Sequence, residues 1–430
     1  MIKRLVALAL LTFVALAGVV AALNFRDESA SDATAHPIVP TLSPAASIAR
    51  GEYLTRAGDC IGCHTAQGGI PYAGGRGIET PFGTVFAPNL TPDAQTGIGL
   101  WSSADFWRAL HNGRSRDGRL LYPAFPYPNY TRVVRADAEA MYAYLRSLPP
   151  VAQASPPHTL GFPFNLQASL AIWRALYFKP ASYTPDATRS AEWNRGAYLV
   201  EGLGHCNACH SSRNALGASG GPLDLAGGLI PVQNWYAPSL TARAEAGVVD
   251  WEPRHVIDLL KTGVSDRGSV MGPMTDVVLN GTQYLTAADL AAMTNFLQAL
   301  PEMPAQSATD DGGGRGAADA GTRGARLYET HCLGCHGEKG ECVPGAYPAL
   351  AGSRVVKMAT PANLVHIVLE GGFPPSTAGN PRPFGMPPFA TTLSNDDVAD
   401  LLSHIRTAWG NNGAAVSALV VSRYRGAARP

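Results

Sequence analysis

Cys206-Asn207-Ala208-Cys209-His210 is one of three copies of a five-residue motif, and the whole chain is arranged around these copies. The other two are Cys60-Ile61-Gly62-Cys63-His64 and Cys332-Leu333-Gly334-Cys335-His336. We call each copy a hook and number the hooks in chain order. Two thiols three positions apart on a helical turn can add to the two vinyl groups of one haem, and the next imidazole then reaches the iron.

The hooks therefore predict three covalently bound c-type haems. The predicted attachment residues are Cys60, Cys63, Cys206, Cys209, Cys332 and Cys335, and the predicted iron ligands are His64, His210 and His336. A redox dithiol or a zinc site would use similar cysteines, but a zinc ribbon pairs two CxxC motifs at close spacing without a histidine after each. The seventh cysteine, Cys342, has no partner within the chain, so we expect a small buried apolar residue and no disulfide framework.

Length and composition favour several small domains and exclude one broad class of function. A chain of 430 residues has room for about three domains, which matches one hook in each. Lysine plus arginine and aspartate plus glutamate balance at 33 each, and only 15% of residues are charged, so we expect no binding of nucleic acid. The 46 glycines and 34 prolines predict loop-rich domains around an apolar cofactor.

The first 25 residues predict export. Lys3 and Arg4 precede an uncharged run over residues 5–23, which is followed by Arg26. Such a run is just long enough to cross a bilayer, and a long signal peptide looks similar. Because no clean A-x-A cleavage site closes the run, the pattern favours a retained anchor over a cleaved signal. Either alternative places the rest of a bacterial protein in the periplasm, where haem c is attached.

The sequences around the first and second hooks are an internal duplication. Arg50-Gly51-Glu52-Tyr53-Leu54 precedes the first hook as Arg195-Gly196-Ala197-Tyr198-Leu199 precedes the second. Ala87-Pro88-Asn89-Leu90-Thr91 likewise matches Ala237-Pro238-Ser239-Leu240-Thr241, and a tryptophan follows each proline at the same distance. Closing helices are predicted for the three domains at residues 136–148, 286–297 and 394–409.

The resulting organisation has eight segments: an anchor or signal at 1–25, a tether at 26–47, domain 1 at 48–150, a linker at 151–188, domain 2 at 189–302, a flexible linker at 303–322, domain 3 at 323–410 and a tail at 411–430. The first linker holds an apolar stretch, 166–178, which is too short to span a membrane and predicts a helix. We expect this helix to pack across domains 1 and 2, with a partner subunit or the bilayer surface as the alternative. The tail combines apolar residues with two arginines, a pattern of segments that lie on a membrane or a partner.

Electron-transfer haems carry a methionine as the sixth iron ligand, and it comes from downstream of the hook. Met386 in Phe384-Gly385-Met386-Pro387-Pro388 is predicted for domain 3, on a loop before the closing helix. Met274 in Gly272-Pro273-Met274 is predicted for domain 2, also on a loop, with Met271 as its competitor. A methionine beside proline or glycine in a loop is less often a core residue than a methionine on a helix.

Domain 1 breaks this pattern, because Phe125 in Tyr122-Pro123-Ala124-Phe125-Pro126 stands where the methionine is expected. Met141 aligns with Met293 of domain 2, so it is predicted to be a helix-packing core residue. His111 is expected to be a polar residue near the domain surface. The first haem is therefore predicted to be five-coordinate or bound by an unexpected histidine, with an altered potential or an ability to bind small ligands.

With these motifs, and with Ala87-Pro88-Asn89-Leu90-Thr91-Pro92 and Met386-Pro387-Pro388-Phe389, the chain resembles the three-haem cytochrome c subunits of bacterial membrane-bound dehydrogenases over residues 48–410. The resemblance implies a mainly α fold with three tandem class I cytochrome c-like domains and loop-rich haem pockets. Carried over to this chain, the family's haem attachments fall on the six hook cysteines, its axial methionines on Met274 and Met386, and its first-domain methionine on Phe125.

The resemblance also implies an electron-transfer role without a substrate site. A large dehydrogenase subunit with pyrroloquinoline quinone, flavin or a molybdenum cofactor, accompanied in some complexes by a small third subunit, would oxidise an alcohol, an aldehyde or a sugar acid. This chain would relay the electrons to ubiquinone at the periplasmic face of the bacterial inner membrane, through a site that the sequence does not locate. The Phe125 form is closer to subunits that accompany molybdenum-containing aldehyde or N-heterocycle dehydrogenases.

Two other functions stay open at this point. An open iron in the first haem would suit a multihaem peroxidase, which also needs an acid or base near the iron. An oxidase-linked or free-standing cytochrome c is the other alternative, although the apolar segments outside the haem domains argue against a diffusible carrier.

Overall fold

The computed structural model describes residues 1–25, 42–221, 223–305, 317–341, 343 and 345–425. Most of the predicted tether, most of the flexible linker, Cys342 and the end of the tail lie outside the described residues. The described chain is mainly helical with short two-stranded sheets, which confirms the predicted mainly α fold. It divides into two compact units, one of Met1–Pro185, Glu201–His205 and Asn214–Ala218, the other of Asp186–Val200, Cys206–Arg213 and Ser219–Pro430.

Seven helices and one hairpin lie before residue 185 within the described residues. The helices are α1 (Ile2–Phe25), α2 (Pro44–Ala57), α3 (Cys60–Cys63), α4 (Ser103–Asn112), α5 (Tyr127–Tyr130), α6 (Arg135–Ser147) and α7 (Gln167–Tyr177). Strands β1 (Gly77–Thr80) and β2 (Gly83–Phe86) form an antiparallel hairpin. Helix α4 begins at a capping box in which the Ser102 and Asp105 side chains satisfy each other's backbone amides, so its start is specified locally.

Ten further helices follow residue 185 in the described chain. They are α8 (Ala191–Ala197), α9 (Pro253–Thr262), α10 (Pro273–Asn280), α11 (Ala287–Gln298), α12 (Ala317–His331), α13 (Leu333–His336), α14 (Arg354–Lys357), α15 (Ala362–Glu370), α16 (Asn395–Thr407) and α17 (Ala418–Arg425). A π-helical turn, Tyr198–Leu203, continues α8, and single 3₁₀ turns cover Cys206–Ala208 and Thr282–Tyr284. Four two-residue strands, β3 (Gly228–Leu229), β4 (Tyr236–Ala237), β5 (Val264–Ser265) and β6 (Gly268–Ser269), pair as β3 with β4 and β5 with β6.

One helix crossing occurs three times, once for each hook. An opening helix crosses a closing helix at a glycine: α2 crosses α6, α8 crosses α11 and α12 crosses α16. A Cβ added to these glycines would lie 1.9 Å from the Ala140 carbonyl oxygen at Gly51, 2.0 Å from that of Ala292 at Gly196, and 2.2 Å from that of Asp400 at Gly324. Since no real Cβ approaches an oxygen so closely, only glycine lets these helix backbones touch.

An ion pair accompanies each crossing. The arginine that precedes the glycine pairs with an aspartate in the first turns of the closing helix: Arg50 with Asp137, Arg195 with Asp289 and Arg323 with Asp397. Arg195 binds both carboxylate oxygens of Asp289, at 2.8 and 2.7 Å, which fixes the crossing angle as well as the distance. Each hook therefore lies between the two crossing helices of the same supersecondary unit, although the sequence duplication was visible only for the first two.

Candidate haem attachment sites

Each hook forms one helical turn that brings its first cysteine and its histidine to the same face. The histidine amide donates a hydrogen bond to the carbonyl of the first cysteine at 2.9 Å in all three hooks, from His64 to Cys60, from His210 to Cys206 and from His336 to Cys332. In a helical turn, positions i and i+4 lie one above the other. The first cysteine and the histidine of each hook are therefore neighbours on one helical turn, the arrangement that the attachment of one haem requires.

Backbone carbonyls of proline orient the hook histidines. His64 Nδ1 lies 2.7 Å from the Pro88 oxygen, and His210 Nδ1 lies 2.7 Å from the Pro238 oxygen. A ring nitrogen that donates to a carbonyl carries the proton, so Nε2 has a free lone pair for a metal. Pro348 faces His336 in the same way, although His336 Nδ1 makes no hydrogen bond within the described structure.

Burial keeps these imidazoles in the form that binds iron. Desolvation lowers the pKa of His64, His210 and His336 below the ordinary value, and it outweighs the opposing effect of the proline carbonyls. A neutral imidazole is the metal ligand, whereas an imidazolium is not. The electrostatics of the sites therefore agree with the role predicted for the three histidines.

None of the six hook cysteines forms a disulfide within the described residues. Burial raises the pKa of the Cys206 thiol to about 12 and that of Cys332 to about 11, so both are protonated at neutral pH. The described residues contain no group of three or more His, Cys, Asp and Glu side chains arranged to hold a metal ion by themselves. A structural zinc would need four such ligands, whereas haem c needs two thiols and one imidazole, and the hooks fit haem c.

Tyrosines line the hooks, and the sequence analysis did not single them out. The Tyr130 hydroxyl donates to the Gly58 carbonyl at 2.7 Å, and the Tyr328 hydroxyl donates to the Gly337 carbonyl at 2.7 Å. Desolvation raises the pKa of both phenols, with the neighbouring cysteines Cys60 and Cys332 adding to the effect. These rings help to exclude water from the attachment sites. Their signal in the sequence was weak, because tyrosines occur throughout the chain.

The structure brings Met386 to the third hook. Its backbone pairs with Gly372 in both directions, with N–O distances of 2.8 and 2.9 Å, so the loop is held firmly. The Met386 side chain packs against a buried apolar cluster that includes Cys332. Met386 therefore lies outside the helices, as predicted, and packs against the same apolar cluster to which Cys332 belongs.

Met274 differs from its prediction in one respect, because it belongs to helix α10 and not to a loop. Helix α10 begins at Pro273, whose fixed φ angle and missing N–H suit the first helical position. The preceding Gly272, at φ +58°, packs against the Trp235 ring, where an added Cβ would lie 2.7 Å from the indole. Trp235 directly precedes strand β4, which leads to Pro238, so Gly272 packs beside the segment that orients His210.

Its competitor, Met271, packs against the segment that carries Met386. The Met271 methyl carbon lies against Gly372, where an added Cβ would meet it at 3.4 Å. Gly372 is the residue that pairs with Met386, so Met271 acts as a packing residue between two methionine-bearing segments. Met274 stays the predicted sixth ligand of the second site, and Met271 its competitor.

We expect Met274→Leu to remove the long-wavelength absorption band of methionine-ligated ferric haem from one site, and Met271→Leu to keep it. Loss of the thioether should also lower the potential of that site by a sizeable part of the roughly 0.8 V that axial ligands control. Spectroelectrochemistry of the purified protein measures both effects. Loss of the band in the Met271 variant instead would reverse the assignment.

The first hook has no methionine in the corresponding place. Phe125 is half-buried and its ring centre lies 5.3 Å from that of Tyr130, the tyrosine that binds beside Cys60. Met141 is completely buried on α6, so it is the core residue that the sequence predicted. The Phe125 ring therefore packs against a tyrosine whose hydroxyl binds the backbone just before the first hook.

His111 is buried, and the expectation of a surface position was wrong. Only 2% of the residue is exposed, and its ring stacks on Trp107 at 4.4 Å. Desolvation lowers the pKa of this imidazole, and its Nδ1 has no hydrogen-bond partner. Helix α4 has a strongly apolar inner face, which carries the histidine into the core with it.

We expect Phe125→Met to convert the first haem to a low-spin, methionine-bound form. The variant should lose the high-spin signal in the electron paramagnetic resonance spectrum and gain a band like those of the other two sites. Phe125→Leu is the matched control, because it shortens the side chain without supplying a ligand. A wild-type spectrum with only low-spin iron would contradict the prediction before any variant is made.

Known proteins similar to this chain also have cytochrome c domains or are cytochrome c subunits. The family model described as cytochrome c matches residues 48–149 and 321–409. The cytochrome c subunit of the alcohol dehydrogenase (quinone) of Komagataeibacter europaeus is 38% identical, over 90% of this chain and 85% of its own length. The gluconate 2-dehydrogenase cytochrome c subunit of Pantoea cypripedii is 38% identical, over 86% of this chain and 87% of its own.

A third relative is longer than this chain. A subunit of the nicotinate dehydrogenase of Pseudomonas putida is 42% identical over 84% of this chain, and the match covers 30% of that protein. The first two relatives are named as cytochrome c subunits of dehydrogenases, and the hooks fit covalent haem c. The chain therefore belongs to the family of cytochrome c subunits of bacterial dehydrogenases.

Proposed function

We propose that this chain is a three-haem subunit that carries electrons from a periplasmic dehydrogenase to ubiquinone, at the periplasmic face of the bacterial inner membrane. The observation that carries the proposal is the threefold recurrence of one arrangement, a hook between two helices that cross at a glycine and share an Arg–Asp pair. We take residues 48–150, 189–302 and 323–410 as the three haem domains. The word quinone in the name of the alcohol dehydrogenase relative supports a quinone as the acceptor.

The residues of the chain hold and shield the redox centres and do not act on a substrate. Haem c, when bound, supplies an iron that accepts and releases one electron at a time. The cysteines fix its position, the proline carbonyls set the ring orientation of His64 and His210, and buried tyrosines keep water away. Met274 and Met386 would raise the potentials of the second and third sites relative to a first site that has Phe125.

The second and third hook regions contact each other through hydrogen bonds, an ion pair and ring stacking inside one compact unit. Asn363 exchanges two hydrogen bonds with the backbone of Tyr236, at 2.9 and 2.8 Å. Arg354 binds both carboxylate oxygens of Asp250, at 2.8 and 2.6 Å. Trp235 stacks on His366 with ring centres 4.9 Å apart. Because electron transfer depends steeply on distance, contacts that fix two domains relative to each other support a relay between them.

The proposed partner is a large dehydrogenase subunit that contains pyrroloquinoline quinone, flavin or a molybdenum cofactor. The nicotinate dehydrogenase relative has the highest identity among those described above, which supports a partner that oxidises an N-heterocycle or an aldehyde. A phenylalanine at position 125 points in the same direction. Alcohol and sugar-acid dehydrogenases are the alternative partners, by the names of the other relatives.

Purification from native membranes in mild detergent, followed by mass spectrometry, tests this function. We expect a large subunit to co-purify, and its substrate to reduce the haems of the complex within the time of turnover. A ubiquinone analogue should then reoxidise them. Recovery of this chain alone, with rapid reduction of peroxide, would instead place the function at the first haem, since only that site lacks a candidate methionine.

A further inference from the structure

Helix α7 buries an arginine and exposes large apolar side chains, unlike a typical helix on a water-exposed surface. Its buried side holds Arg174, which is only 3% exposed, next to Leu170 at 5%. Its outer side presents Ile172 and Leu176, which are 51% and 64% exposed. A surface helix in water normally turns its charge outward and its aliphatic residues inward. Both the burial of Arg174 and the exposure of Ile172 and Leu176 therefore need an explanation.

The inner side is explained by the end of helix α1. Arg174 Nε donates to Asn24 Oδ1 at 3.0 Å, and the guanidinium lies 4.7 Å from the centre of the Phe178 ring and 5.3 Å from that of Tyr127. A guanidinium out of water is costly unless its protons and charge are compensated. Arg174 is therefore buried because it binds Asn24 and two aromatic faces.

Asn24 is equally committed to this contact. Its Nδ2 donates to the carbonyls of Val20 and Ala171, each at 2.9 Å, and only 6% of the residue is exposed. Arg114 donates to the Asn24 carbonyl at 3.3 Å and covers the Phe25 ring at 4.6 Å. The last turn of α1 is thus a structural part of this unit. Its removal would leave Arg174 buried with fewer partners.

Most of the rest of α1 is exposed in the part of the chain that the structure describes. It is 24 residues long, its most apolar window has a mean hydropathy of 2.7, and none of that window is buried. A bilayer is the environment in which such a helix is stable. Because the C-terminal turn of α1 is bound to α7, α7 must lie where α1 leaves the hydrocarbon.

We propose that α1 is retained as a membrane anchor and that the outer face of α7 lies in the headgroup region of the same bilayer. This proposed lipid-facing surface consists of Ile172, Leu176 and Tyr177 of α7, together with the exposed Phe162 (81%) and Leu166 from the segment before the helix. Aromatic and aliphatic side chains on a helix parallel to the membrane plane are typical of such a position. The proposal rests on the membrane location proposed above and not on the identity of the redox partner.

The test uses the full-length haem-loaded protein, purified together with any dehydrogenase subunit that accompanies it, in phosphatidylcholine vesicles that contain a phospholipid with a photoreactive acyl chain. Cross-linked positions and the mature N-terminus are mapped by mass spectrometry. We expect an intact α1 and cross-links in both α1 and residues 162–177. Leu100, which is 61% exposed and belongs to neither α1 nor α7, serves as the matched apolar reference and should remain unlabelled.

The variant Ile172→Glu/Leu176→Glu should lose most of the labelling in residues 162–177, keep that in α1, and keep its haem absorption spectrum. Leu100→Glu should change none of these. A mature N-terminus beyond Asn24, or cross-links in α1 alone, would overturn the proposal. Equal labelling of Leu100 would overturn it too, and so would protection of α7 by a co-purified dehydrogenase subunit. Substrate-driven haem reduction, followed on the same samples, reports separately on the proposed redox function.

Discussion

Replacing Cys206 and Cys209 by alanine should lower the covalent haem content from three per chain to two and stop electron transfer through the protein. Both thioether bonds of the second site need these thiols, and the same turn carries His210. The second hook region makes direct hydrogen bonds to the third, so the proposed relay would pass between their haems. Because the variant lacks one of these haems, we expect quinone reduction to fall by orders of magnitude. Pyridine haemochrome absorbance per chain and the intact mass measure the haem content.

Cys342, the seventh cysteine, provides the control for this experiment. Cys342 lies outside the hooks, so Cys342→Ser should keep three haems and full electron transfer. Equivalent double substitutions at the first and third hooks should each remove one haem as well. A wild-type protein with two haems, or an unchanged content in the Cys206/Cys209 variant, would contradict the assignment of one haem to each hook.

The hooks and closing helices could be predicted because their determinants are local. A hook is defined by five consecutive residues, and α6, α11 and α16 follow a helical pattern with a nearby start signal. The role of the two prolines as hydrogen-bond acceptors was harder to predict from the sequence. Pro88 and Pro238 stood out in a repeated segment, but the group that orients the histidine is a backbone carbonyl, which leaves no trace in side-chain chemistry.

Contacts between distant segments explain what the sequence could not show. The direction of Met271 depends on Gly372 in the next hook region, and no spacing around Met271 reports it. The apolar stretch was correctly predicted as helix α7, yet the choice of its inner face depends on Asn24, which is 150 residues from Arg174. The burial of His111 depends on how the whole of α4 packs.

The glycine crossings allow a second prediction with a large effect, this time on stability. In Gly196→Ala the new methyl would lie 2.0 Å from the Ala292 carbonyl oxygen and 2.8 Å from Phe296 Cβ, so α8 and α11 must move apart. Backbone atoms of a helix cannot turn aside as a flexible side chain can. We expect a destabilisation of about 3 kcal/mol or more, at the upper end for overpacked cores. Thermal unfolding should shift by on the order of 10 °C or more.

Hydrogen exchange localises the effect, since a protein of several domains does not unfold in one step. Amides of α8 and α11 should exchange much faster in Gly196→Ala, whereas those of α2 and α6 should keep their protection. Gly161→Ala is the control, because its nearest neighbour is 3.9 Å from the new methyl. If the two variants were equally stable, the close crossing would not hold the second hook region. The ion pair of Arg195 with Asp289 would then have to fix the helix in front of Cys206 by itself.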